Sequence, residues 1–186
     1  DPATWAAFRR LTPHVVALWA AVEPLWRAEW SRPDWHAMDF ALSQCGLFLS
    51  TQSDFRGAEV VQRAALELKE QRVDAADREL PVALGNLSLT LAKLGRFEEA
   101  AELIDRAVTF NEAHQPGSED LAASYMQKAQ LYFRRAEAGD RSGLDAAEPW
   151  ITGARAIYDR LAAGEPSPMV ANCWNDLGYL RRLQGR

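Results

Sequence analysis

Apolar side chains in residues 3–30 (Trp5, Phe8, Leu11, Val15, Leu18, Trp19, Val22, Leu25 and Trp26) recur three and four positions apart. That spacing gathers them on one face of a helix. Pro13 and Pro24 fall within the run, so the pattern predicts a helical segment broken around the two prolines. Beyond it the periodicity acquires a second, longer repeat. Gly46 and Ala58 are 12 apart, as are Ser88 and Ala100, and Gly46 to Ser88 is a step of 42. The same step carries Leu49 onto Leu91, Phe55 onto Phe97 and Ala65 onto Ala107. Between each small pair lies a helix-breaking point, Asp54 in one copy and Gly95-Arg96 in the other. Each repeat is thus a helical hairpin, with small residues where its two helices cross closely.

A third copy starts near Ala122, placing Tyr125, Ala129 and Tyr132 in the columns of Leu84, Ser88 and Leu91. Its second helix is predicted to resume at Ala146, because the polar turn 137–143 lengthens the connection, which costs little. A fourth first helix carries Trp174, Leu177 and Gly178 behind Ser167-Pro168, an N-cap and first-turn pair, and reaches Gly185-Arg186. Helices are therefore expected near 34–52, 54–72, 79–94, 96–114, 119–137, 144–163 and 168–184, with no strand. The organisation expected is a helical N-terminal cap, 1–37, followed by an array, 38–186, divided as 39–80, 81–121, 122–170 and an incomplete 171–186. With no second helix to follow it, the face bearing Trp174, Leu177 and Leu180 is expected to stay partly uncovered. That patch suggests a further helix or self-association through the open end.

Trp174-x-x-Leu177-Gly178, and the degenerate Leu84-x-x-Leu87-Ser88-x-x-Leu91 with Ala100, resemble the tetratricopeptide (TPR) repeat. The period of 42, together with Asn86-Leu-Ser and Gly95-Arg-Phe-Glu-Glu-Ala100, is similar to the long-helix variety of kinesin light chains. This resemblance, over roughly 38–186, implies an all-α fold, a right-handed superhelix of helical hairpins. It also implies a protein- or peptide-binding role. The stretch Phe8-Arg-Arg-Leu-Thr-Pro-His14 resembles the segment joining the nucleotide-binding region to the TPR array in bacterial STAND-type signalling ATPases. That likeness implies the sensor portion of a larger protein.

Composition narrows the function classes. With 48% hydrophobic and 25% charged residues, the 186-residue chain has the make-up of a folded globular domain. A net charge of −5 disfavours non-specific nucleic-acid binding. No apolar run is long enough for a membrane span, and a cytoplasmic setting is expected. The two cysteines, Cys45 and Cys173, form neither a disulfide framework nor a CxxC metal motif. GxxxxGK[ST], GxGxxG, HExxH and GxSxG are all missing from the sequence, so neither an enzyme nor a cofactor is expected. His36 between Asp34 and Asp39 offers too few ligands for a metal site and reads as exposed polar residues at a helix start. Asp145 with Glu148, and Glu98 with Glu99, sit in first helical turns, where negative charge complements the helix dipole. Five of the seven tryptophans, Trp5, Trp19, Trp26, Trp30 and Trp35, cluster near the N-terminus and suit core packing.

The candidate binding surface lies on the first helix of each hairpin. Counting from Asp39, Pro81, Ala122 and Ala171, the sixth column holds Gln44, Asn86, Gln127 and Asp176. Amides offer donor and acceptor together and can hold the backbone of an extended peptide. The thirteenth column holds Thr51, Lys93, Arg134 and Leu183, with Arg182 beside the last. The TPR resemblance implies backbone- and carboxylate-binding roles for Asn86, Lys93 and Arg134 alone. The expected ligand is an extended segment bearing acidic groups, with a peptide-responsive allosteric regulator as the alternative role.

Overall fold

The computed structural model describes the backbone of residues 2–28, 35–71 and 79–185, and the side chains of 6–24, 37–71 and 79–185. Eight α-helices make up this structure: α1 (Pro2–Ala28), α2 (Trp35–Thr51), α3 (Phe55–Glu70), α4 (Glu79–Lys93), α5 (Phe97–His114), α6 (Glu119–Glu137), α7 (Ala147–Ala162) and α8 (Pro168–Gln184). No strand occurs among the described residues. The fold is therefore an all-α helical-repeat superhelix. Successive hairpins α2–α3, α4–α5 and α6–α7 stack in order, and α8 continues the series.

Local chemistry ends and starts these helices where the sequence indicates. Asp54 Oδ1 accepts from the Gly57 N–H at 3.0 Å and Ser118 Oγ accepts from the Leu121 N–H at 3.1 Å, satisfying exposed first-turn donors. Gly95 closes α4 with φ of +78° and Gly185 closes α8 with φ of +75°, a backbone conformation that glycine adopts without a Cβ clash. Ser167 precedes Pro168 as expected, although its hydroxyl makes no capping bond.

Small residues mark the crossings. Ala58, Ala100, Ala129 and Ala107 are fully buried, and Ser88 Oγ donates to the Ala100 carbonyl at 2.7 Å, joining α4 to α5. A Cβ at Gly46 would lie 2.6 Å from Gln62 Cγ, so α2 and α3 approach too closely for a side chain there.

Three apolar clusters fill the stack. Trp19 of α1 packs with Leu42, Cys45, Val61 and Leu68. Leu84, Leu87 and Leu91 of α4 pack with Ile104 and Leu131. Phe133, Leu144, Ile151, Tyr158, Cys173 and Leu180 form the third.

Several expectations are corrected. The N-terminal helix runs unbroken through Pro13 and Pro24. An internal proline costs about 3 kcal/mol, whereas burying one large apolar side chain returns about 1.5–3 kcal/mol. Trp19, Val15, Val16 and Val22 together supply enough apolar packing to keep the helix continuous through Pro13. Ala146 is exposed within a 3-10 turn, Leu144–Ala146, and the buried small residue is its neighbour Ala147. The turn consumes one residue more than the spacing implied. Leu180 is fully buried against the third cluster, whereas Trp174 is 58% exposed and Leu177 is half-buried. The open face is therefore narrower than expected. Asp39 is buried as well: its Oδ2 accepts from Lys69 Nζ at 2.8 Å. The side chains of Trp5, Trp26, Trp30, Trp35 and His36 lie outside the described residues.

Candidate functional site

The first helices pack on one another, α2 on α4, α4 on α6 and α6 on α8, while the second helices do not meet to the same extent. First helices thus line the inner surface of the curved stack. Columns six and thirteen of each repeat fall on that surface, as does the ninth, because steps of three and four return to one helix face. The ninth column, Leu47, Leu89, Gln130 and Tyr179, had not been singled out from the sequence. Its first three members line the groove, and the i+3 step from column six would have found them.

One cavity of about 370 Å³ lies between α2, α4 and α6. Asn86 and Gln127 stand at one side, Lys93 and Arg134 at the other, and Leu47, Phe55, Leu89 and Leu131 provide an apolar floor. Gln62 reaches into the same floor from α3. Its Nε2 donates to Ser50 Oγ at 3.4 Å, and its Oε1 is buried without a partner beneath the groove. A Cβ at Gly85 would fall 2.1 Å from Gln127 Oε1, so the glycine is what lets the Gln127 amide lie across α4.

Two further cavities continue the groove. Between α2 and α4, about 340 Å³ is lined by Gln44, Ser43, Leu47 and Asn86, with Lys69 and Glu79 at its edge. Lys69 there bridges Asp39 at 2.8 Å and Glu79 at 2.6 Å, tying α2, α3 and α4 together. Across α6, another 370 Å³ is lined by Gln127, Gln130, Asn172, Asn175 and Asp176. The structure therefore brings Gln44, Asn86, Lys93, Gln127, Arg134 and Asp176 onto one continuous surface. Arg182 departs from it, resting 4.7 Å above the Tyr179 ring and lining none of these cavities.

The amides of Gln44, Asn86, Gln127, Gln130, Asn172 and Asn175 make no side-chain hydrogen bond among the described residues, so their donors and acceptors remain available. The basic side is less free than the sequence suggests. Arg134 pairs with Glu137 at 2.9 Å, and Lys93 Nζ sits 5.9 Å over the Phe55 ring. The Tyr179 hydroxyl, with Arg134 and Lys93 beyond it, holds the Glu137 carboxyl below the usual carboxylate range. Asp176 shows the opposite shift, raised by burial alone. Burial also pushes the Cys173 thiol up to about 11, leaving it protonated and a poor nucleophile near neutral pH.

Other acidic pairs act structurally. Glu99 accepts from Arg96 and Arg63, Glu98 pairs with Arg135 at 3.3 Å, and Glu148 pairs with Arg181. The Arg63–Glu99, Arg135–Glu98 and Arg181–Glu148 pairs link neighbouring repeats, and being exposed they add little to stability. Among the described residues no three His, Cys, Asp or Glu side chains gather as a metal site, and no helix is long and apolar enough to cross a membrane.

No family profile matches the chain, and no curated protein does. Solved structures do. BtubC (BKLC) from P. vanneervenii superposes with a TM-score of 0.68 at 23% identity, covering 96% of this chain and 67% of that one. A Podosopora anserina putative kinesin light chain with nearly identical TPR-like repeats superposes at 0.67 with 13% identity, covering 99% of this chain and 86% of that one. A variant of the same fungal protein gives 0.61 at 15% identity over 88% of this chain and 79% of that one. With its hairpin stack and inner groove, the chain has the fold of these TPR-like repeat structures.

Proposed function

We propose that this protein is a binding scaffold or sensor module whose inner groove holds an extended peptide segment of a partner protein. The observation that carries this reading is the row of uncommitted amides, Gln44, Asn86, Gln127 and Gln130, running across three helices above an apolar floor. Amides at this spacing bond to peptide N–H and C=O groups without reading side chains, and the floor receives an apolar side chain. Lys93 and Arg134 at its edge favour an acidic residue beside that apolar one. As the binding end of a larger signalling protein of the STAND type, the module would present this groove while α1, docked through Phe8 on Phe48 with ring centroids 5.9 Å apart, serves as its N-terminal cap.

The test is the affinity of synthetic acidic, neutral and basic peptides, each with one large apolar residue, across a range of salt concentrations. Acidic peptides are expected to bind best. Arg134→Glu should weaken them roughly ten-fold and flatten the salt dependence, because it removes long-range attraction. Asn86→Ala should weaken all three classes with the salt dependence unchanged, since a neutral amide contributes short-range hydrogen bonds. Equal affinity of wild type and Arg134→Glu for the acidic peptides would move the site off this groove.

A further inference from the structure

The cavity between α6 and α8 shares Gln127 and Gln130 with the one between α4 and α6, yet its charge is opposite. Its lining is Ala123, Met126, Gln127, Gln130, Tyr158, Met169, Asn172, Asn175 and Asp176, so the single charged side chain there is a carboxylate. Asp176 is half-buried and makes no hydrogen bond or ion pair among the described residues. Both cations of α7 are engaged elsewhere, Arg155 lying 4.3 Å over the Trp174 ring and 3.7 Å from Asp159 and Arg160 donating to the Gly117 carbonyl. A partly desolvated carboxylate with no compensating cation is unfavourable by itself, and a positive group entering the cavity relieves that cost. Burial raises the Asp176 pKa with no opposing contribution from a cation, in line with this geometry.

We propose that the α6–α8 cavity receives a lysine or arginine side chain of the same extended partner segment whose apolar and acidic residues occupy the α2–α4–α6 cavity. This inference rests on the groove-binding reading and adds a charge order to it. The four amides, Gln127, Gln130, Asn172 and Asn175, offer carbonyl oxygens to the several N–H donors of a guanidinium or ammonium group. Met126 and Met169 give adaptable apolar walls for the aliphatic stem. From Gln127 to Arg134 is about 10 Å along α6, and crossing that helix adds a comparable distance. An extended chain covers such a span in roughly three to five residues. The recognised segment is therefore bipolar, with its acidic residue toward Lys93 and Arg134 and its basic residue toward Asp176.

The experiment uses a synthetic peptide of glutamates around one leucine with a single arginine placed three, four or five positions away, alongside its alanine twin. Wild-type protein should bind the best-placed arginine peptide about three- to ten-fold more tightly than the twin. Asp176→Asn should erase that preference, so that the arginine peptide and its alanine twin bind this variant equally, and Asp176→Lys should reverse it toward a peptide with glutamate in that place. Circular dichroism of both variants should match wild type. Binding of the twin with no arginine preference at any of the three positions overturns the basic subsite and leaves the groove reading standing. So does a preference that survives Asp176→Asn. Failure of every peptide to bind overturns both.

Discussion

Lys69→Met is expected to destabilise the protein by about 3–5 kcal/mol, the cost of removing one partner from a buried ion pair. Lys69 is 3% exposed and Asp39 2% exposed, with Nζ 2.8 Å from Oδ2, so the substitution takes a close cation away from a deeply buried carboxylate. It also severs the 2.6 Å bond to Glu79, the first residue of α4, one of the polar ties from the first hairpin to the second. For a chain of this size the loss corresponds to a fall of roughly 6–20 °C in melting temperature. The double variant Asp39→Leu with Lys69→Met should recover most of it, because an apolar pair avoids desolvating two charges. Thermal melting of the single and double variants checks both statements. A double variant no more stable than Lys69→Met would mean that the pair matters through packing rather than charge.

A second large loss is expected at the middle of the stack. Ile104 is fully buried among Leu84, Leu87 and Leu91 of α4 and Ala100 and Ala107 of α5. Ile104→Ala should cost about 2–5 kcal/mol, the lost burial plus the cavity left behind. In a linear array each repeat is supported only by its neighbours, so damage at the centre also uncouples the two ends. Chemical denaturation of Ile104→Ala should therefore broaden or split into two transitions. Leu180→Ala removes an equally buried side chain, but among the described residues α8 packs mainly onto α6 and α7. Its loss should appear as faster amide exchange confined to α8, with the remaining helices protected as in wild type. Uniform loss of protection in both variants would contradict the neighbour-by-neighbour account.

The repeat was legible because small residues at hairpin crossings are sterically obligatory. Gly46, Ala58, Ser88 and Ala100 stand where helices touch, and their spacing, continued by the matching columns and turn residues of the third and fourth copies, yielded a helix for each observed one from α2 onward. The continuity of α1 was not legible, since the proline cost is local while the packing that opposes it comes from α2 and α3. Asp39 was misread for a similar reason: its cation, Lys69, lies 30 positions away in sequence. At the groove, the sixth and thirteenth columns could be read because helical geometry repeats identically in each hairpin. The commitment of Arg134 to Glu137, and the displacement of Arg182 onto Tyr179, depend on side-chain choices that periodicity does not encode. The Gln62 acceptor in the groove floor comes from a second helix, a position outside the columns considered.

The central claim, that the inner groove is the binding surface, is tested most directly by comparing two double variants on opposite faces. Asn86→Ala with Gln130→Ala strips two amides from the cavity between α2, α4 and α6. Glu102→Ala with Thr109→Ala alters exposed positions of α5, a helix that lines none of the cavities described above. The measurement is the affinity of each for the tightest acidic peptide. The groove variant should lose about ten-fold or more, at about 0.5–1.5 kcal/mol for each hydrogen bond removed, while the α5 variant binds as wild type does. Undiminished binding by the groove variant, with loss in the α5 variant, would contradict the account.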